Sequence, residues 1–121
     1  MSTIDLRCGD AIELFKKIDS STVDLIIADP PYNLGKNYGN NYDLKDFDDY
    51  IAFTNNWLLE AKRVLKPTGS VYVFMGVKFI SYLYNILDRE LKMFFNSWVV
   101  WHYTQGLGKT KGFSPRHDDI L

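Results

Sequence analysis

Val23-Asp24-Leu25-Ile26-Ile27-Ala28-Asp29-Pro30-Pro31-Tyr32 is the segment from which the fold can be inferred. Its first six residues are β-branched or apolar apart from Asp24, which suits a strand buried on both faces of a parallel sheet. The strand must stop at Pro30 and Pro31, because proline has no N–H to give to a ladder. On its amino-terminal side, Ile4 to Cys8 reads as a short earlier strand. Asp10 then stands where a helix N-cap would, followed by Ala11, Ile12, Leu14, Phe15 and Ile18 at helical spacing. On its other side, residues 33–45, rich in Asn, Gly and Tyr and without period, read as a long loop.

A helix capped by Asp46 or Asp48 comes next, with Phe47, Tyr50, Ile51, Phe53, Trp57, Leu58, Ala61, Val64 and Leu65 along one side. Lys66-Pro67-Thr68-Gly69 ends it, and Ser70 to Met75 reads as a second buried strand. Residues 78–92 carry a second amphipathic pattern, 93–103 are strand-like, and Asp118-Asp119-Ile120-Leu121 opens another strand. Strands that alternate with helices predict a layered α/β sheet. In such sheets ligands gather at the carboxyl ends of parallel strands, which places the Asp29 turn at a candidate site.

The 121 residues, 46% of them hydrophobic, suffice for one domain with a real core. A single cysteine, Cys8, excludes a disulfide framework and suits a reducing cytoplasm. No signal-peptide pattern opens the chain, and no apolar stretch is long enough to span a bilayer, so no membrane partner is expected. The net charge of −1 hides an asymmetry: residues 1–60 hold 11 acidic and 5 basic side chains, and residues 61–121 hold 4 and 9. Such a split fits one surface facing phosphates, and ordinary solvated faces produce it equally well.

Asp-Pro-Pro-Tyr at a strand end has a definite chemical use. An aromatic amine is a poor nucleophile because its lone pair is delocalised into the ring. Acceptors aimed at both amine hydrogens favour the tetrahedral nitrogen that forms as a methyl group arrives. Asp29 can supply one acceptor through its carboxylate and Pro30 the other through its carbonyl, while Pro30 and Pro31 keep φ fixed. Tyr32 offers a flat face for a base held outside the duplex. The plain alternative is a strand-ending turn.

The run Gly9-Asp10, Ser21 to Ala28 and Asp29-Pro30-Pro31-Tyr32-Asn33 resembles the opening of the N6-adenine/N4-cytosine DNA methyltransferases, in particular the β-class of restriction-modification type. Lys66 to Ser70 resembles that family's helix-to-strand turn. Trp98 to Trp101, Gly106-Leu107-Gly108, Phe113 and Arg116-His117-Asp118 resemble its next strand and glycine-basic loop. The resemblance implies a Rossmann-like fold that binds S-adenosyl-L-methionine, of which residues 1–121 would form the N-terminal part, about half of the sheet. Residues 103–117 would lead toward a target-recognition region. Asp29, Pro30, Pro31 and Tyr32 would be catalytic, and Asp10, Ala28 and Asp29 would line the cofactor. Asp10 serves equally well as a helix cap. Asn33, Lys109, Lys111 and Arg116 would face double-stranded DNA; the basic loop reads as readily as plain surface. Phe53 and Trp57 read as core, and His117 has no second metal-type ligand nearby, so no metal is expected.

Adenine N6 is the expected target because Asp stands at position 29; N4 of cytosine is the nearest alternative, and methylation of a protein glutamine a distant one. The family's Phe-x-Gly-x-Gly motif and its acidic strand end have no counterpart here. The chain therefore reads as a truncated frame, a split subunit or a deliberately cut piece. It would be completed by a C-terminal half or a second subunit, form a homodimer, or persist as an inactive remnant that only binds DNA or a partner. The expected setting is the cytoplasm of a bacterial or phage-type system.

Overall fold

The structure, a computed structural model, describes residues 2–35, 45–104 and 116–121. Among these residues four strands form one mixed sheet in the order β1-β2-β4-β3: β1 (Val23–Ala28), β2 (Leu65–Met75), β3 (Val99–His102) and β4 (His117–Ile120). β1 and β2 are parallel, and β4 runs antiparallel to both β2 and β3.

The short helix α1 (Ala11–Phe15) precedes β1, and the link between the parallel pair is α2 (Phe47–Val64). α2 begins at Phe47, with Asp46 at the N-cap position but without the expected side-chain capping bond, and carries Asp48 and Asp49 in its first turn and Lys62 and Arg63 in its last. That charge order complements the helix dipole. Tyr50, Trp57, Leu58, Ala61 and Val64 are buried, as helical spacing predicts; Thr54 is buried as well, its hydroxyl donating to the Tyr50 carbonyl, whereas Phe47, expected on the same side, is exposed in the first turn. The core expected around Phe53 and Trp57 is present, with Trp57 buried and Phe53 packed at the margin. The helix stops at Leu65, which is extended with φ −70° and ψ 134°. Pro67 disfavours helix in the residue before it and cannot itself donate a ladder bond.

β2 enters the sheet through a bulge. Val23 stands opposite Leu65, but Leu25 already stands opposite Ser70, so residues 66–69 loop out of register. Gly69 closes this loop where no side chain fits: a Cβ there would lie 2.8 Å from Leu65 Cδ1 and 3.0 Å from the Asp24 carbonyl oxygen. Lys66 reaches back to Asp24 at 2.8 Å.

Two expectations are corrected at the sheet. Ile4 to Cys8 forms no strand; Ile4 and Leu6 are fully out in solvent. A strand needs a ladder partner, and none lies beside it among the described residues. β1 is also not buried on both faces. Ile26, Ala28, Val71, Val73 and Met75 share the face on which the helices build the core, whereas Leu25 and Ile27, on the opposite face, are 52% and 68% exposed. Tyr72, Val99 and Trp101 continue that bare face across the sheet.

Two smaller elements complete the covered side. The helix expected over 78–92 forms as α3 (Ile80–Asn85) running into a π-helical turn, Ile86–Glu90, with Leu91 N–H donating to the Ile86 carbonyl. It ends at Lys92 in the left-handed region (φ 51°), where Met93 N–H caps the Leu87 carbonyl. The strand-like stretch 93–103 contracts to β3, with Phe94 exposed. The short α1 lies against α2. Among the described residues, no helix is long and apolar enough to cross a membrane.

Candidate active site

β1 delivers residues 29–32 to the rim of the sheet, and the geometry there comes from local chemistry. Asp29 is exposed, and no hydrogen bond or ion pair engages its carboxylate among the described residues. Pro30 and Tyr32 are half-buried. Two prolines in succession remove two backbone donors, so the turn must be anchored through its carbonyls and through the residue after Tyr32.

That residue is Asn33, in the left-handed region at φ 57°, a conformation asparagine tolerates well. It is buried to 2% exposure, and its amide clips the far end of the loop: Nδ2 donates to the Lys45 carbonyl at 3.0 Å, and Oδ1 accepts from the Lys45 N–H at 2.6 Å. Both ends of its side chain already serve loop closure.

The carbonyl anchor comes from α2. Tyr50, 1% exposed, donates its hydroxyl to the Pro31 carbonyl at 2.6 Å, with Met75 Sδ 3.4 Å from the same hydroxyl oxygen. Its ring packs on Phe79 at 4.4 Å between centroids. Below the turn, Gly76 comes directly after the last residue of β2, and a Cβ there would sit 3.3 Å from Tyr32 Cδ2. The tyrosine ring of the tetrapeptide thus lies directly over a glycine.

Asp10 holds the place expected of a cap: its Oδ1 accepts from the Glu13 N–H at 3.0 Å, and its second oxygen has no partner among the described residues. Ala28 is half-buried opposite Val73. Arg116 is exposed just before β4, which runs antiparallel to β2 and so begins at the rim that carries Asp29. Two strand spacings, about 10 Å, separate β1 from β4. The Arg116 guanidinium touches the Thr104 carbonyl at 3.4 Å. Lys109 and Lys111 lie outside the described residues. His117 sits 3.5 Å from the buried Asp119, which also accepts from the Trp98 indole at 2.9 Å.

A cavity of about 690 Å³ opens at the other end of β2, beside Lys66, Gly69, Tyr84, Phe94 and Phe95. No residue of the 28–33 turn lines it. Its walls are the 66–69 bulge and the irregular segment before β3, so it belongs to the sheet's amino end and not to the Asp29 turn.

A family model described as DNA methylase, of the N6/N4 type, matches residues 23–121. The chain belongs to this DNA methylase family. It is 57% identical over 116 residues to the Type II methyltransferase M.HpaI of Haemophilus parainfluenzae, covering 96% of this chain and 37% of that protein. It is 34% identical to the DNA adenine methyltransferase YhdJ of Escherichia coli (strain K12), covering 93% of this chain and 38% of the relative. The chain thus spans well under half the length of these curated relatives. Among solved structures, the PvuII DNA methyltransferase (cytosine-N4-specific) superposes with a TM-score of 0.76 at 16% identity, over 93% of this chain and 45% of that one. A complex of M1.HpyAVI with SAM superposes with a TM-score of 0.62 at 22% identity, over 93% and 50%. These likenesses establish the Rossmann-like fold, with part of its sheet present in this chain.

Neither Tyr50 nor Gly76 stands out in the sequence as part of the site. Tyr50 reads as one apolar position among many on α2, and nothing local says that its hydroxyl meets a carbonyl 19 residues earlier. Gly76 reads only as a turn. A signal was available for Asn33, since asparagine directly after a rigid turn is a common occupant of the left-handed region.

Proposed function

We propose that this chain is the catalytic-turn portion of a DNA methyltransferase that transfers a methyl group from S-adenosyl-L-methionine to the exocyclic amine of a flipped-out base, adenine N6 in the first place. One observation carries the reading: at the rim of β1, Asp29 presents an exposed carboxylate with no structural partner among the described residues, on a turn whose neighbours are tied down. The DNA adenine methyltransferase among the relatives and Asp at position 29 favour adenine, and the cytosine-N4-specific structural neighbour keeps N4 of cytosine as the second reading.

The residues present fit part of the cofactor's site. Asp10 has a carboxylate oxygen left for an adenine amine, and Ala28 and Asp29 lie at the strand end where the fold collects ligands. The donor brings an electrophilic methyl group. Everything else in the step falls to the chain: Asp29 accepts one amine hydrogen, the Pro30 carbonyl accepts the other, and Tyr32 stacks on the base. Holding both acceptors in place before reaction lowers the barrier because little reorganises in the transition state. The amine nitrogen would gain its methyl carbon as the donor's sulfur–methyl bond breaks and a neutral thioether leaves, and the surplus amine proton would pass through Asp29 to water. Arg116, with Lys109 and Lys111, pairs with phosphates of double-stranded DNA.

Among the described residues β1 is an edge strand, and this edge with the bare face beside it supports a second element of the proposal. A C-terminal half, or a second subunit, completes the cofactor site by adding strands and helices there. The same bare surface favours one rival, a chain that binds DNA or a partner without turnover. The working enzyme belongs in the cytoplasm.

The test is methyl transfer from labelled donor to duplex DNA, with the chain alone and with the completing polypeptide. Label in N6-methyladenine that vanishes with Asp29→Ala supports the reading. Label in N4-methylcytosine moves the target base. Equal label with and without the Asp29 carboxylate overturns the catalytic assignment.

A further inference from the structure

We infer that Tyr50 and Gly76 are positioning residues for the catalytic turn: Tyr50 aims the Pro30 carbonyl from behind, and Gly76 sets the height of the Tyr32 ring. The inference rests on the methyl-transfer reading above, and its structural half can be tested without it.

Little freedom is left in the turn. The proline rings hold φ at residues 30 and 31, so ψ of each is what remains to be fixed. The Tyr50 hydroxyl grips the Pro31 carbonyl at 2.6 Å and thereby fixes the plane of the peptide joining residues 31 and 32. With φ of Pro31 locked, holding ψ of that residue orients the preceding peptide plane as well. That plane contains the Pro30 carbonyl, the acceptor assigned to the second amine hydrogen. One hydroxyl therefore governs an acceptor it does not touch.

The grip is stiff at its source. Tyr50 is 1% exposed, packs against Phe79 and lies within the core cluster. Its neighbour on the same hydroxyl, Met75 Sδ at 3.4 Å, is a weak acceptor that does not compete with a carbonyl. Downstream the clip from Asn33 to Lys45 keeps the chain from yielding on the other side. Gly76 completes the frame, because the 3.3 Å approach to Tyr32 Cδ2 means that even a methyl group must lift or tilt the ring. A tilted ring stacks a base in a different plane from the one the two acceptors serve.

A plain core role for Tyr50 makes a different prediction. The ring supplies the packing and the hydroxyl supplies the aim, so Tyr50→Phe separates them. Carbon-13 carbonyl NMR of proline-labelled chain should show the Pro31 signal shifted in Tyr50→Phe, with the cross-peaks between the Gly76 α-protons and the Tyr32 ring weakened. The melting curve should stay cooperative. In methyl-transfer assays on duplex DNA, turnover should fall roughly ten- to a hundredfold while KM for the methyl donor stays within about twofold. Gly76→Ala, which keeps the Tyr50 bond, should reproduce the turnover loss, and the double variant should lose less than the product of the two single effects. Unchanged Pro31 and Tyr32 signals in Tyr50→Phe overturn the proposal, as does turnover within about twofold of the parent. A parent that transfers no methyl group counts against the functional reading alone; the two NMR signals then decide the positioning role by themselves.

Discussion

Arg63→Ala is the perturbation whose size can be worked out most directly. Arg63 lies in the last turn of α2, and its guanidinium is the knot that ties α1 and the adjoining turn to that helix. Nη2 donates to the Phe15 carbonyl at 2.9 Å, Nη1 to the Ile18 carbonyl and Ser20 Oγ, both at 3.0 Å, and Nε and Nη2 hold Glu60 at 3.0 and 2.8 Å. The main chain continues the knot, since the Ser21 and Thr22 N–H groups donate to the Arg63 and Val64 carbonyls. Hydrogen bonds from a charged donor contribute about 1.5–3 kcal/mol each. The bonds to the Phe15 and Ile18 carbonyls are only part-buried, so water recovers much of that, leaving roughly 1 kcal/mol apiece. The Glu60 pair, one turn away on the same helix, adds about 0.3–0.5 kcal/mol. The expected loss is about 2–3 kcal/mol, and for a domain of this size the melting temperature should drop by roughly 10 °C. Arg63→Lys keeps the charge but only one point of contact, so it should lose about half as much. Circular dichroism melting reads the global effect. Hydrogen exchange reads the local one, with the amides of α1, including that of Glu13 at the Asp10 cap, losing more protection than those of α2. A variant that melts within about 2 °C of the parent would show that the knot is already solvent-screened and that α1 is held by other contacts.

Three further outcomes are expected. Asn33→Ala should lower stability by about 1–2 kcal/mol through loss of both Lys45 bonds, and Asn33→Asp, which keeps the acceptor but not the donor, by less; urea unfolding distinguishes them, and an Asn33→Ala chain as stable as the parent refutes the clip. Gly69→Ala should cost roughly 1–3 kcal/mol by pushing Leu65 and the Asp24 carbonyl apart at the bulge, and an unchanged melting curve would show that the bulge yields freely. Ile27→Lys combined with Trp101→Lys should reduce self-association in sedimentation velocity while changing stability by about 0.5 kcal/mol or less, because both side chains lie on the bare face; unchanged association would place the sticky surface elsewhere.

Some of this protein could be read without coordinates because the controlling forces are local. The apolar run ending at Pro30 defines β1 through strand preference and a missing donor. The spacing of Tyr50, Trp57, Leu58, Ala61 and Val64 defines α2 through its 3.6-residue period, and Pro67 with Gly69 marks where it must turn into β2. Asp10 as a cap comes from the same kind of observation, since its partner is only three residues away. The candidate tetrapeptide was legible for a related reason: its geometry is set largely by its own proline rings.

The remainder depends on partners distant in sequence, and only the folded molecule reveals it. Ile4 to Cys8 has the composition of a strand, yet composition cannot furnish the neighbouring ladder that a strand requires. Leu25 and Ile27 look as fit for burial as Ile26, but whether a face is covered depends on how many helices lie on each side of the sheet, and the described helices lie on one. Asn33 acts as a loop clasp because Lys45 folds back onto it, and Tyr50 acquired its bond to Pro31 because α2 crosses behind the turn. Backbone preference acts over a few residues and is written in their order. Contact between remote side chains costs chain entropy and exists only once the whole sheet has formed.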